Sequence, residues 1–438
     1  MPIRIAADEG YYNMSKDGIR SYTPAIILTV SLFFLWGMAN NLNDILIAQF
    51  KKAFTLSDFE TSLVQQSFYM GYFLLAIPAA FLTRAKGYKA SIVTGLLLYS
   101  LGALLFYPAA HYGQYAFFLA ALFIIACGLA FLETAANPLM TELGDPSGAT
   151  RRLNWAQAAN PAGTLTGVLI GKFFILSDIV AHEAALEKMP TAARQALLRD
   201  EILAVQTPYL LIGLLVLTFA AAASLIDFPK GSLAQGQIVD RPRFRMLFKH
   251  KTLLFATVAQ FFYVGAQVGI WSYTIRYAQA NVPGIGERSA ADYLFASLVL
   301  FGLGRVIGTA LMARIGAGYI LSIFAGASLV LTALAALVGG RPGLFMLVSA
   351  SFFMSIQFPT IFALGVGGLG VLRRLGSSLL VMAIIGGAAL TALMGYASDL
   401  TGINGALIVP TVCFIAVVCF GWNQRTIAAA PDITPHNQ

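Results

Sequence analysis

Two carboxylates stand inside long apolar stretches of this sequence, and they are the residues best suited to carry chemistry. Asp44 closes the string Asn40-Asn41-Leu42-Asn43-Asp44, and Glu133 sits in Leu132-Glu133-Thr134-Ala135-Ala136-Asn137-Pro138. An acid placed in hydrocarbon costs several kilocalories per mole, so such residues usually face a cavity and serve a function. A carboxyl held away from bulk water can take up and release a proton near neutral pH. Helical spacing of three and four residues puts Asn40, Asn41 and Asp44 on one face; Asn137 follows Glu133 by one turn. Two acids on different helices suit a division of labour, one carrying a proton and the other linking it to a substrate. The competing reading is that either acid is held permanently by Arg305 or lies close to a helix end.

Polar side chains around these acids suggest what the substrate is. Gln157, Asn160 and Thr164 form one stripe, and amides offer both donors and acceptors, as neighbouring sugar hydroxyls require. The same residues also serve hydrogen bonding between membrane helices. Gln260, Tyr263, Gln267 and Trp271 recur at offsets of three, four and four on one helix face, with Trp36 and Gln357 as further candidates. Amides beside aromatic rings make a sugar surface, since a ring stacks on the apolar face of a pyranose; ordinary packing is the alternative for the rings. Arg305, in Gly302-Leu303-Gly304-Arg305, is the only basic residue well inside an apolar stretch, and it calls for a carboxylate or a substrate oxygen.

Other chemistries find no support. His111, His182, His250 and His436 fall in loops or the tail, and Cys127, Cys413 and Cys419 lie in apolar stretches without ligand spacing, so no metal site and no cofactor are expected. No nucleophile, base and orienting group occur together, so no catalytic site is expected. Gly302, Gly304 and Gly308 follow no strand, and no Walker motif occurs, which argues against both nucleotide binding and ATP-driven transport.

The elements that position these residues are membrane helices. Of 438 residues, 58% are hydrophobic and only 11% charged, with a mean hydropathy of +0.75, whereas soluble domains carry about a quarter charged residues. About 20 apolar residues cross the bilayer core, and twelve segments qualify: 23–48, 60–83, 88–110, 114–141, 150–176, 205–227, 251–280, 289–313, 317–338, 343–367, 374–397 and 403–425. The net charge of +8 sits in short clusters between them, as in loops rather than on a nucleic-acid surface. With the N-terminus inside, eighteen Lys and Arg fall in cytoplasmic segments and nine on the opposite side. Both termini are therefore expected in the cytoplasm. Residues 1–22 are polar and carry no cleavage motif, so they are expected to remain as a cytoplasmic tail.

The chain also repeats itself faintly. Pro138-Leu139-Met140-Thr141-Glu142-Leu143-Gly144 and Arg151-Arg152-Leu153 recur in order as Pro359-Thr360-Ile361-Phe362-Ala363-Leu364-Gly365 and Arg373-Arg374-Leu375. Phe33-Phe34-Leu35-Trp36-Gly37 likewise resembles Phe261-Phe262-Tyr263-Val264-Gly265. Spans one and seven enter the membrane from the same side, so the repeat is parallel. This predicts an all-α protein of two six-helix halves related by a pseudo-two-fold axis, the major facilitator fold. The halves are 23–227 and 251–425, with a basic linker at 228–250 and a cytoplasmic tail at 426–438. Laid over each other, the halves differ in chemistry: Asp44 falls opposite Ser272, Glu133 opposite Met354 and Gln157 opposite Leu379. The polar function is expected in the N-terminal half.

Together, Ser31-Leu32-Phe33-Phe34-Leu35-Trp36, the Asn40–Asp44 string, Leu132–Pro138, Val205-Gln206-Thr207-Pro208 and Met354–Phe362 resemble the fucose–galactose–glucose–proton symporters. The likeness runs from about residue 24 to 425. It implies alternating access around a central sugar site between the halves, Asp44 in sugar recognition and transport, Glu133 as the acid whose protonation is coupled to the sugar, and Asn41, Gln157 and Asn160 as cavity residues. It further implies a monomeric symporter of the bacterial inner membrane, driven by a proton gradient, with L-fucose the first-choice monosaccharide. D-glucose, D-galactose or N-acetylglucosamine, with either proton or sodium coupling, is the alternative, and a membrane sugar sensor the alternative of another class. The superfamily's acidic loop after span two reads Arg84-Ala85-Lys86-Gly87-Tyr88-Lys89 here, a departure that this group of symporters shares.

Overall fold

In lipid every backbone N–H and C=O must be satisfied within the chain, so apolar stretches of this length fold as helices. The computed structural model describes residues 22–56, 58–143, 145–175, 190–228, 244–285 and 287–425. The C-terminal tail, nearly all of the N-terminal tail, most of the linker 228–250 and residues 177–189 of the longest loop lie outside them.

The spans follow in order. α1 (Thr23–Ala53) is span one, and α2 (Asp58–Tyr112) carries spans two and three. Its two arms meet at Gly87, whose φ of 84° lies in the left-handed region that glycine occupies without strain. α3 (Tyr115–Glu142) is span four; α4 (Ala149–Ala156) and α5 (Ala159–Ile170) with a π turn at Gly171–Ile175 make span five. After the short loop helix α6 (Thr191–Leu203) come α7 (Gln206–Leu225), α8 (Lys251–Asn281), α9 (Glu287–Leu311) and α10 (Ala317–Val338), which are spans six to nine. Span ten is α11 (Gly340–Met354) and α12 (Gln357–Val366). Span eleven is α13 (Arg373–Met382) and α14 (Gly386–Ala406), which breaks at Gly402; α15 (Ile408–Gln424) is span twelve. Spans five, ten and eleven are thus interrupted helices, where unbroken apolar segments were expected. The loop helix α6 is tied to α1: buried Gln49 donates to the Glu201 carboxylate at 2.7 Å and to its main-chain carbonyl at 2.9 Å.

By contacts the chain forms two compact units. One comprises residues 1–145, 156–242 and 370–388; the other comprises 146–155, 243–369 and 389–438. Each therefore holds most of one half plus the segment containing the Arg-Arg-Leu triplet of the other half. In the first unit α13 packs against α2 and α3. Arg373 and Arg374 stand 3.9 and 4.0 Å from the Glu142 carboxylate, and the Arg374 guanidinium lies over the Tyr88 ring at 4.4 Å. Ser377 donates to the carbonyl of Thr134 at 3.4 Å. That carbonyl needs an outside donor, because Pro138, four residues on, has no N–H. In the second unit Asn154 donates to the Thr360 hydroxyl at 3.2 Å.

Candidate functional site

The first unit gathers most of the polar candidates. α1 and α5 cross closely enough that a Cβ on Gly37 or on Gly163 would overlap the backbone of Asn160 or Phe34 respectively. Small residues permit that approach, and it aligns the polar faces of spans one and five. Asn160 donates to the Phe33 carbonyl at 3.4 Å and Thr164 to the Gly37 carbonyl at 3.5 Å. Both thereby stitch the two spans together, the helix-linking use open to such residues. Gln157 donates to Asn137 Oδ1 at 2.8 Å, while the Asn137 amide nitrogen is buried and makes no hydrogen bond to a described residue. Asn40 donates to the Trp36 carbonyl at 3.1 Å, and Asn41 is half-buried beside it.

The two acids occupy different surroundings. Glu133 is only 3% exposed, and neither carboxyl oxygen makes a hydrogen bond to a described residue. The Tyr72 hydroxyl and the Trp36 indole are the polar groups beside it, and Trp36 Nε1 donates to Tyr72 Oη at 2.6 Å. A carboxyl in such a place discriminates strongly between its protonated and ionised forms, since a buried charge without partners is costly. Asp44, by contrast, is exposed on α1 and accepts a hydrogen bond from Gln65 Nε2 at 3.1 Å. Tyr72 and Gln65 on span two were not among the sequence candidates. The signal was available: Gln65, Tyr69 and Tyr72 follow at offsets of four and three, one helical face.

The second unit places its candidates less uniformly. Gln260 is fully buried, and neither atom of its amide makes a hydrogen bond to a described residue. Gln267 is half-buried; Trp271, also half-buried, donates to Ser351 Oγ at 3.2 Å and meets Phe301 edge-on at 5.0 Å. Gln357 donates to Ser328 Oγ and to the Phe353 carbonyl, both at 3.0 Å. Tyr263 and Arg305 converge on the interruption of span ten. Tyr263 donates to the Met354 carbonyl at 2.8 Å, and Arg305 Nε to the Ser355 carbonyl at 2.8 Å. Pro359 lacks the N–H that would otherwise reach Ser355, so the guanidinium, stacked over Phe301 at 4.7 Å, supplies it.

Replacing Arg305 by leucine is accordingly expected to leave a buried carbonyl unpaired, at a cost of about 1–3 kcal/mol. The measurement is the thermal unfolding midpoint of the purified protein in detergent. A midpoint equal to wild type would show that this contact does not brace span ten.

Twelve membrane spans in two compact units, with paired acids inside the membrane helices, define a secondary transporter of the major facilitator type. The sequence matches the Major Facilitator Superfamily over residues 27–370, and the chain belongs to that superfamily. It is 44% identical over 94% of its length to the L-fucose-proton symporter of Escherichia coli K12, covering 96% of that protein. It is 33% identical over 92% of its length to the glucose/galactose transporter of Brucella abortus, covering 94% of that protein. The crystal structure of FucP, a major facilitator transporter in the outward conformation, superposes with a TM-score of 0.84 at 42% identity, covering 94% of this chain and all of that one.

Proposed function

We propose that this chain is a proton-coupled monosaccharide symporter that works by alternating access, with L-fucose its first substrate and D-galactose or D-glucose next. One observation carries the reading: two carboxyls on membrane helices of the same unit lie in different environments, Glu133 buried with no hydrogen bond to a described residue and Asp44 exposed and hydrogen-bonded. The likeness to an L-fucose-proton symporter supports the choice of proton and sugar. Glu133 takes the proton, and Asp44 with Asn41 and the Asn137–Gln157 pair receives sugar hydroxyls. On the second unit Gln260, Gln267 and Trp271 are the candidates for sugar contact. Neutralising Glu133 lowers the cost of closing the protein around it, so the loaded carrier changes state more readily than the half-loaded one. The proton gradient is the energy source, and no cofactor takes part. The protein works as a monomer in the bacterial inner membrane, with both termini in the cytoplasm.

The test is reconstitution into liposomes that enclose a pH-sensitive dye, with sugars added outside one at a time, with and without sodium. L-fucose is expected to acidify the lumen without sodium. Sugar uptake that follows sodium with no pH change would overturn proton coupling, and silence toward every sugar would overturn the substrate class.

A further inference from the structure

The Tyr72 hydroxyl lies where the buried acid Glu133 and Trp36 of span one meet. Its side chain is fully buried. Its oxygen accepts the Trp36 indole N–H at 2.6 Å, and the Glu133 carboxyl lies beside both groups. An indole N–H can only donate, so one lone pair of the tyrosine oxygen is committed to Trp36. Neither Glu133 oxygen is hydrogen-bonded to a described residue here, so the hydroxyl hydrogen and the second lone pair of Tyr72 are left for it to engage. Of the other titratable groups on the elements packed against α3, Tyr69 lies near both Asp44 and Tyr72, Tyr88 and Arg374 belong to the Glu142 cluster, and Tyr99 hydrogen-bonds the Leu35 carbonyl.

We propose that Tyr72 is a positioning residue that transmits the protonation state of Glu133 to Trp36. The proposal rests on the reading of Glu133 as the proton site. With Glu133 ionised, Tyr72 donates its O–H to the carboxylate. A hydroxyl that is donating to an anion is a stronger acceptor, because hydrogen bonds in a chain polarise one another, and Trp36 is held firmly. With Glu133 protonated, the acid donates to the second lone pair of Tyr72. The tyrosine hydrogen then turns away, and the acceptor strength seen by Trp36 falls. The indole is released to adjust to a sugar ring. No bond other than the proton's own changes, so the device couples proton to sugar without requiring direct contact between Glu133 and the sugar.

Tyr72→Phe tests this while keeping the ring that packs against Phe68 at 5.6 Å. Full-length protein in liposomes is assayed for L-fucose exchange from about pH 5 to 9, together with the quenching of tryptophan fluorescence by the sugar. The variant removes a donor from the ionised carboxylate, so the midpoint of the exchange profile is expected to move to higher pH by about one unit, the equivalent of roughly 1.4 kcal/mol. Quenching, pH-dependent in wild type, is expected to lose that dependence. Trp36→Phe, which breaks the same chain at its other end, is expected to move the exchange midpoint in the same direction, and it serves if Tyr72→Phe folds poorly. A wild-type profile and wild-type quenching in Tyr72→Phe, with wild type moving protons, would overturn this proposal alone. Wild-type protein that carries L-fucose without moving protons would overturn the reading of Glu133 and this proposal with it.

Discussion

Glu133→Gln is expected to abolish the accumulation of sugar against a gradient while leaving sugar exchange intact. Glutamine matches glutamate in shape and has no proton to gain or lose at this position, so it stands permanently for the neutral form. Residue 133 is only 3% exposed, with the Tyr72 hydroxyl and the Trp36 indole beside it, and an isosteric amide fits there without a void. What is lost is the link to the proton gradient. Each pH unit across the membrane is worth about 1.36 kcal/mol, so a gradient of two units driving one proton per sugar supports roughly 100-fold accumulation. The variant is expected to reach about equal concentrations on both sides, a loss of roughly 100-fold, while labelled sugar still exchanges for unlabelled sugar at a rate near that of wild type. Exchange survives because it needs only the loaded carrier to change state, and the amide keeps the loaded carrier neutral. The paired measurement is accumulation and counterflow in the same liposomes. Accumulation that persists in Glu133→Gln would place the coupling proton elsewhere, with Asp44 the next residue to examine.

How much of this was open to reading in the sequence depends on the range of the interaction. The spans were legible because an apolar run of bilayer length is a local property, and α1 differs from the expected 23–48 chiefly by one extra turn or so at its end, to Ala53. The joint between spans two and three was legible as a basic loop, Arg84 to Lys89, although the structure makes it a single left-handed glycine in a nearly continuous helix. Asp44 and Glu133 were legible because an acid in an apolar run is conspicuous. The roles of Arg305 and Tyr263 were not. A buried guanidinium invites a search for a carboxylate, but its hydrogen bond here goes to a backbone carbonyl freed by a proline fifty-odd residues away, on another helix. The exchange of the Arg-Arg-Leu segments between the units was hidden for the same reason: Ser377 meets Thr134 across more than two hundred residues. Tyr72 and Gln65 were missed although their spacing is regular, because only the partners on spans one and four give the stripe meaning.

Asp44 is where substrate affinity is expected to reside, and Asp44→Asn separates it from coupling. The two acids fit one general pattern, in which equivalent carboxyls take different roles because their environments differ. Glu133 is enclosed and makes no hydrogen bond to a described residue. Asp44 is exposed, and its Oδ1 accepts a hydrogen bond from Gln65 at 3.1 Å, which restrains the carboxylate. That is the arrangement of an acceptor set out for a ligand hydroxyl. A hydrogen bond to a charged group contributes about 1.5–3 kcal/mol, against about 1 for a neutral pair. Asp44→Asn keeps the size and the contact with span two but surrenders the charge, so the sugar dissociation constant is expected to rise about 2- to 30-fold. Gln65→Leu, which frees the carboxylate without removing it, is expected to weaken binding by less, about 3-fold, through loss of positioning. Equilibrium binding of labelled L-fucose to detergent-purified protein, with no gradient present, reads both effects directly. Glu133→Gln in the same assay is expected to bind near wild type, since its defect lies in coupling. If Asp44→Asn binds as wild type does and Glu133→Gln does not, the two acids have exchanged roles, and the hydrogen-bonded carboxyl would be the one that moves the proton.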